Sequence, residues 1–462
     1  MTIYTPKLAG QSAPKYLAIA DAITADISGG TLAAGDKLPP QRELAYELGV
    51  TVGTVSRAYA EIAQRGLVTG EVGRGTYVRD MNAEPVWTAA ARDRHNGFIT
   101  LTQNAPWFGP HATGLAQTLT DIVANAPLEP LLDYMDPVGP QAHRAAGAAW
   151  IGRVGLDVEP SQIIVCGGAQ HGLSLCLSAF SGSGDTVLME ELTYLQLLDA
   201  ALFQHRGAKG VALDDDGMRP EALDAASRDS GARVVFLVPT LHNPTNSVMS
   251  EQRRREIVEV ARRRDLLIVE DDVYGYLIED RPPPIATLAP ERTIYITSAS
   301  KCLAAGLRVA WIAAPHDRVA RLADALRVNT VAQPALTGEV VRRWIDNGMA
   351  ERFVHSQAEE TAARNALADE YLAGFRYRSH PASFHLLLSL PDPWTADGYV
   401  AAARDRGVAV LPARLFSVAG HSHGEAVRLS LSQPRRRDDL RRGLEILRGL
   451  LNEAPPRTRT II

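Results

Sequence analysis

Lys301 is the first residue to weigh, because the chain uses lysine sparingly: 5 of its 48 basic residues are Lys and the other 43 are Arg. Wherever a basic surface residue serves, this sequence writes Arg. A Lys in an unusual setting is therefore a candidate for what guanidinium cannot do, losing its proton and attacking a carbonyl. Lys301 stands in Ser298-Ala299-Ser300-Lys301, with Gly306 and Arg308 following. Hydroxyls and an arginine beside a lone amine suit a phosphate anchored next to an imine-forming lysine. Gly167-Gly168-Ala169-Gln170 follows an apolar run and opens a helical stretch, so its backbone N–H groups would point at an anion at a helix N-terminus. Asp271 closes another apolar run, at the edge where open α/β sheets bind ligands. A carboxylate there can keep a pyridine nitrogen protonated and make the ring an electron sink, and Asp272 competes for that role. Asn243, in His242-Asn243-Pro244-Thr245, and Tyr274 are placed to hydrogen-bond a phenolic oxygen. Singly, each has a structural alternative: Asn243 a turn residue before proline, Tyr274 a core ring, Asp271 a helix cap, the Gly-Gly pair a tight turn. The five features in this order are hard to reach by accident.

Positioning those groups takes a large scaffold. At roughly 100–200 residues per domain, 462 residues predict two to four domains. A content of 46% hydrophobic and 22% charged residues is that of an ordinary globular protein with a sizeable core. No apolar run nears the ~20 residues of a membrane span, and the N-terminus lacks a signal-peptide pattern, so a cytoplasmic protein without membrane contact is expected. Cys166, Cys176 and Cys302 are too few and scattered for a disulfide framework or a metal cage. From about residue 98, apolar strands at Ile163–Cys166, Thr186–Glu190, Val234–Pro239, Leu266–Glu270, Thr293–Thr297 and Arg308–Ala313 alternate with longer helical stretches. That pattern predicts an α/β fold with a mainly parallel sheet covered by helices on both faces. Phe384–Leu390, Val408–Leu411 and Val427–Leu431 read as strands of a smaller α+β lobe.

The beginning of the chain is organised differently. Tyr16, Ile19, Ile23 and Ile27 mark an amphipathic helix ending at Gly29-Gly30; a short helix follows Pro39-Pro40; Val55, Ala58, Tyr59 and Ile62 stripe a third over Thr51–Arg65. Two short strands flank the loop around Gly73-Arg74-Gly75, completing a winged helix-turn-helix. Seven basic and seven acidic residues over 15–79 give no net attraction to nucleic acid. Their placement is more telling: Arg42, Arg57 and Arg74 fall on the second helix, the third helix and the wing, and Thr51, Thr54 and Ser56 on the start of the third helix, the elements that would face a duplex. A solvated three-helix bundle used for protein contacts is the alternative. The expected division is a DNA-binding domain over 12–80, a linker over 81–97, the large domain over 98–452 and a disordered tail over 453–462.

Two resemblances sharpen these readings. Gly35-Asp36-Lys37-Leu38-Pro39-Pro40-Gln41-Arg42-Glu43-Leu44-Ala45, continuing through Gly49–Val55 and Gly73-Arg74-Gly75-Thr76, resembles the GntR-type bacterial transcription regulators. The resemblance implies double-stranded operator DNA as partner, contacted through Arg42, Thr51, Thr54, Ser56, Arg57 and Arg74. Many of those regulators carry arginine where this chain has Val52, so a guanine contact would be lost there, a thymine methyl contact is the natural replacement, and the operator sequence is open. Residues 98–450 resemble the fold-type I, class I and II aminotransferases, whose cofactor is pyridoxal 5′-phosphate (PLP). By that resemblance Lys301 forms the imine with PLP, Asp271 binds the pyridine nitrogen, and Asn243 and Tyr274 hold the ring oxygen. Gly168, Ala169, Gln170, Ser298, Ser300 and Arg308 bind the phosphate, and Tyr194 stacks on the ring. Tyr134 reaches the phosphate of a neighbouring subunit, which implies a homodimer, and Arg428 clamps a substrate carboxylate. Three positions depart from the aminotransferase pattern: Asn246 and Ala310 stand where glycine is usual and Ala305 where proline is.

A GntR-type reader joined to an aminotransferase-like domain resembles the MocR-type regulators. The function this implies is a PLP-dependent transcription regulator that senses an amino compound, or PLP itself, by imine chemistry at Lys301. A working aminotransferase acting on an α-amino acid, with DNA binding secondary, is the alternative.

Overall fold

The amphipathic spacing of the N-terminal region produces three helices, α1 (Lys15–Ser28), α2 (Gln41–Glu47) and α3 (Val52–Gln64), which bury Ile19, Ile23, Leu44, Val55, Ala58 and Ile62 against one another. Gly49 joins α2 to α3 with φ +61°, a left-handed turn that glycine adopts without steric cost. The hydroxyl of Thr51 accepts from the Thr54 N–H at 3.2 Å, beside the Thr51 carbonyl, which accepts from the same N–H at 3.0 Å, and caps the start of α3. An antiparallel pair, β1 (Val68–Glu71) and β2 (Gly75–Val78), follows. It is tied to the segment before α2 by Leu38 N–H to Thr76 O at 2.7 Å and Val78 N–H to Asp36 O at 2.9 Å. This is the expected winged helix-turn-helix.

The computed structural model describes residues 4–8, 14–33, 36–64, 67–71, 75–78, 93, 97–418 and 424–454. Arg74, nearly all of 81–97 and the end of the tail lie outside the described residues, and with them the expected wing contact, linker and disordered terminus.

The large sheet has seven strands: β4 (Ile163–Cys166), β5 (Thr186–Glu190), β6 (Gly207–Val211), β9 (Val234–Leu237), β10 (Leu267–Asp271), β11 (Thr293–Ser298) and β12 (Ala310–Ala313), with β7 (Leu213–Asp214) and β8 (Gly217–Met218) forming a separate hairpin. The order is β4-β12-β11-β10-β9-β5-β6. Only β12 runs against its neighbours, so the sheet is mainly parallel as expected. Period-two alternation sorts side chains to two apolar layers: Ile163, Val165 and Tyr295 join Trp150 and Trp311 on one face, while Ile164, Cys166, Ile294 and Ile296 join Leu173 and Phe236 on the other. The large sheet departs from the expected strands at two places. The strand expected from Arg308 begins at Ala310, because Arg308 has φ +52° and leaves the turn Ala305–Leu307 in a left-handed conformation that no strand continues. β6, a half-exposed edge strand with two glycines, carries no apolar pattern from which it could be read.

The C-terminal lobe holds an antiparallel sheet in the order β13 (Tyr377–Arg378), β14 (His385–Ser389), β17 (Ala426–Ser430), β16 (Leu411–Pro412). Helices Ala396–Asp405 and Arg437–Leu451 pack on it through Tyr399, Leu440 and Leu444. The expected strand Val408–Leu411 is divided, because the chain changes partners at Val410. β15 (Val408–Ala409) pairs in parallel with β3 (Ile99–Thr100), and β16 pairs with β17. Residues just past the linker thus belong to this lobe. Among the described residues, no helix is long and apolar enough to cross a membrane.

Candidate functional site

Sheet register assembles the candidate groups. Ser298 pairs with Ala310, and Ala310 with Cys166, so the end of β11 lies two strands from the Gly167-Gly168 turn after β4; Asp271 pairs with Ile296 at the end of β10. Lys301 sits on the short helix Ala299–Cys302, whose start is capped by Ser298 Oγ accepting from Ser300 N–H at 3.3 Å. Its Nζ donates to the Asn104 carbonyl at 2.5 Å and lies 5.9 Å from the centre of the Tyr274 ring. Burial, helped by the nearby guanidinium groups of Arg428 and Arg308 and opposed by Asp271, pushes this amine down to about 8.

Asp271 is buried, and burial, with Asp272 beside it, pushes its carboxyl up to about 7 against the pull of Lys301. Among the described residues its Oδ1 has no hydrogen-bond partner, a costly arrangement that a cationic N–H donor would relieve. Asp272, the competitor, is committed through Oδ2, which accepts from Arg281 Nη1 at 2.5 Å and from the Tyr295 hydroxyl at 2.7 Å. The buried Tyr274 hydroxyl accepts from Asn104 Nδ2 at 2.9 Å, and burial pushes it up to about 12. Arg428 is also buried; Nη1 donates to Asn243 Oδ1 at 3.1 Å, Nη2 donates to the Thr102 carbonyl, and burial pushes the guanidinium down to about 10.

A second cluster adjoins the first. Arg308 Nη2 donates to the Gly167 carbonyl at 3.0 Å and Nη1 reaches Ser300 Oγ at 3.5 Å. Gly168 has φ +94°, and a Cβ there would stand 2.2 Å from Arg308 Nη2, so only glycine lets the arginine cross the turn. Helix Ala169–Phe180 starts immediately after it, with its first N–H groups available to an anion. Gln170 donates from Nε2 to the Gln196 carbonyl at 3.0 Å, and its Oε1 is buried without a partner among the described residues. Tyr194 precedes helix Leu195–Phe203; burial raises its phenol, with Asp271 and Tyr274 adding to the shift. Tyr134 is 85% exposed, so its ring covers none of these groups within its own protomer.

Several participants escaped sequence reading. Asn104, Thr102 and His385 lie in a neighbourhood that forms only when segments 197 and 281 residues apart meet, and no local pattern marks them. The departure at Asn246 has a local explanation. Its φ is +63°, a conformation glycine takes freely and asparagine better than most residues. Its side chain also bonds the C-terminal lobe, Nδ2 donating to the Arg378 carbonyl at 3.3 Å and Oδ1 accepting from Ser383 Oγ.

On the N-terminal domain, Arg42, Thr51 and Ser56 are exposed and Thr54 is half-buried, and the Thr51 and Thr54 hydroxyls lie 2.9 Å apart. Val52 is 44% exposed, an apolar group presented at the start of α3. Arg57 is exposed too, but its guanidinium lies 4.4 Å from the centre of the Tyr16 ring, which holds it against α1.

Residues 98–445 match the family described as aminotransferase class I and II, and residues 15–78 match the bacterial regulatory proteins of the gntR family. Over 97% of both chains, the protein is 29% identical to the HTH-type transcriptional regulator YdeF of Bacillus subtilis. It is 32% identical to the vitamin B6 salvage pathway transcriptional repressor PtsJ of Salmonella typhimurium, over 68% of this chain and 70% of that one. The chain belongs to the MocR-type GntR regulators. Among solved structures, it superposes on the kynurenine aminotransferase of Pyrococcus horikoshii with a TM-score of 0.74 and 25% identity, over 80% of this chain and 95% of that one. This MocR-type protein is a PLP-dependent transcription regulator. Its donor set fits the cofactor: a depressed lysine amine, a buried carboxylate oxygen without a partner, and a glycine-arginine-serine cradle at a helix N-terminus.

Proposed function

We propose that the PLP domain of this regulator senses an amino compound, or PLP itself, and that occupancy changes operator binding by a cytoplasmic homodimer. One observation carries the reading. A buried guanidinium, Arg428, is bonded to Asn243 in the same pocket as an amine held near neutrality, Lys301, so the pocket is equipped for an amino group and a carboxylate together.

When bound, PLP supplies an aldehyde that condenses with amines and a ring that withdraws electrons. In this proposal Lys301 is the resident amine, and its lowered proton affinity keeps part of it neutral and nucleophilic near pH 8. Asp271 takes the ring nitrogen as a charge-assisted donor and gains the partner its Oδ1 lacks. Asn243 and Tyr274 orient the ring oxygen, and Tyr194 covers a ring face. Gly168, Ala169, Gln170, Ser298, Ser300 and Arg308 hold the phosphate, with Tyr134 contributed to the neighbouring protomer. Arg428 grips the ligand carboxylate in a two-point contact. Arg42, Thr51, Thr54, Ser56, Arg57 and Arg74 contact the operator. A ligand acts on transcription only if it binds two arrangements of the protein with different affinity.

The test mixes PLP-loaded protein with the twenty common L-amino acids and follows the cofactor spectrum beside binding to a duplex selected by the protein from a random pool. A spectral change without turnover, accompanied by altered DNA affinity, supports sensing. Repeated turnover to an oxo acid, with DNA affinity unmoved, supports the aminotransferase alternative.

A further inference from the structure

Asn104 joins groups that the sequence reading leaves separate. Its carbonyl accepts from Lys301 Nζ at 2.5 Å, and its Nδ2 donates to the Tyr274 oxygen at 2.9 Å and lies 2.9 Å from His385 Nδ1. Burial holds the His385 ring far below its usual pKa, so it is neutral and able to accept. Both protons of the amide nitrogen are thereby used, one on each neighbour. A phenol oxygen that accepts from an amide keeps its own proton for another acceptor, and donates it more strongly. We propose that Asn104 is a positioning residue that acts through Tyr274, keeping the tyrosine proton directed at the ring oxygen of PLP. This rests on the reading that Tyr274 holds that oxygen. The charged and titratable groups facing Lys301 and Tyr274 are Asp271, Arg428, Arg308, Cys302, Tyr194 and His385, and none of them is altered in the test.

The test is a pH titration of the absorbance of PLP bound to the full chain. The form without a proton at the Lys301 nitrogen leaves the negative ring oxygen most in need of the Tyr274 proton. Asn104→Ala weakens that donor and should raise the titration midpoint by about half a pH unit or more. Asn104→Asp, which would draw the tyrosine proton to itself, should raise it further. In a Tyr274→Phe background, Asn104→Ala should add nothing. An unmoved midpoint, or the same shift with and without the tyrosine hydroxyl, overturns the proposal. Where Asn104→Ala takes up no PLP, Asn104→Ser is read by the same criteria. Wild-type protein that binds no PLP refutes the cofactor reading itself.

A separate observation concerns how the site is tied to the DNA-binding domain. The buried carboxylate of Asp93 accepts from Arg404 Nη1 at 2.8 Å and Nη2 at 2.6 Å, on helix Ala396–Asp405. Past Asp93, Leu101 O accepts from Ser430 N–H at 2.8 Å, and Gln433 Oε1 accepts from Thr102 and Gln103 N–H at 2.6 and 2.8 Å. The segment continuous with the linker is therefore fastened to the C-terminal lobe, while its carbonyls at Asn104 and Thr102 touch Lys301 and Arg428. We infer that the Asp93–Arg404 pair is the link that passes lobe position to the linker, provided that ligand occupancy changes operator affinity as proposed above.

Operator affinity is measured without PLP, with PLP, and with PLP plus each common L-amino acid. Arg404→Ala should keep the spectral responses and lose the ratio between the DNA affinities. Asp93→Asn with Arg404→Gln, which removes both charges of the pair together, should do the same, and Arg404→Lys should recover part of the ratio. Variants that retain the wild-type ratio overturn the link alone. A wild-type protein whose DNA affinity ignores every addition removes the sensing reading, and the link with it.

Discussion

Arg428 and Asn243 are hydrogen-bonded to each other, Nη1 to Oδ1 at 3.1 Å, although 185 residues separate them in the chain. One lies on β17 of the C-terminal lobe and the other in the loop after β9 of the large sheet. Whatever takes hold of this guanidinium therefore acts on a contact between the lobes. Arg428→Ala should leave PLP loading intact and raise the concentration of amino acid needed for a spectral response by about 100-fold, the cost of losing a charge-assisted two-point contact. Amines without a carboxylate should respond as in wild type. Arg428→Lys should not restore the response, since ammonium lacks the planar fork.

The depressed Lys301 amine sets a pH dependence for cofactor uptake. Only the neutral amine attacks an aldehyde, and burial lowers its pKa from 10.5 to about 8. The rate of PLP uptake, followed by rapid mixing, should rise with pH up to about 8 and then level. An amine at the ordinary value would give a rate still climbing at pH 10.

Asp271 should cost stability in the cofactor-free protein. Its folded pKa, about 7, exceeds the ordinary 3.8, so the folded state holds the extra proton between those values and stability falls as pH rises through that window. Glu270, also raised to about 7, titrates alongside it, so a substitution is needed to separate them. Asp271→Asn should melt at a higher temperature than wild type above pH 7, by the equivalent of about 1–3 kcal/mol, with the difference gone below about pH 4. The same variant should bind PLP more weakly.

Gly168→Ala tests the cradle. The added methyl would collide with Arg308 Nη2 and hold a left-handed backbone that alanine resists. PLP affinity measured by equilibrium dialysis should fall at least about tenfold, while operator binding without PLP stays unchanged.

On the N-terminal domain, Arg42→Ala should cost about 1–3 kcal/mol of operator affinity if the guanidinium reads a base, and leave PLP absorbance unaltered. Thr51→Ala should lower the melting temperature of the same domain through loss of the α3 cap, by the equivalent of about 1 kcal/mol.

Much of this architecture is written locally. Ile163–Cys166 and Thr186–Glu190 are legible to the residue, because a strand buried on both faces needs an unbroken apolar run. Lys301, Ser298, Ser300 and Gly168 are legible because a short helix and a tight turn are set by the residues that form them. β6 and the break at Val410 are not, because an edge strand and a change of partner depend on what lies alongside.

The sequence by itself determined the two domain types and singled out Lys301 and the glycine turn as candidates, since those follow from hydrophobic period and from motifs spanning a few residues. Only the tertiary structure decided that Asp272 is bonded through Oδ2 by Arg281 and Tyr295 while no such pair engages Asp271 among the described residues, that Asn104 bridges Lys301 and Tyr274, and that Asp93 is held by Arg404. Hydrogen bonds and ion pairs act over a few ångströms of space, and which groups come that close is settled by chain segments hundreds of residues apart packing on a common core.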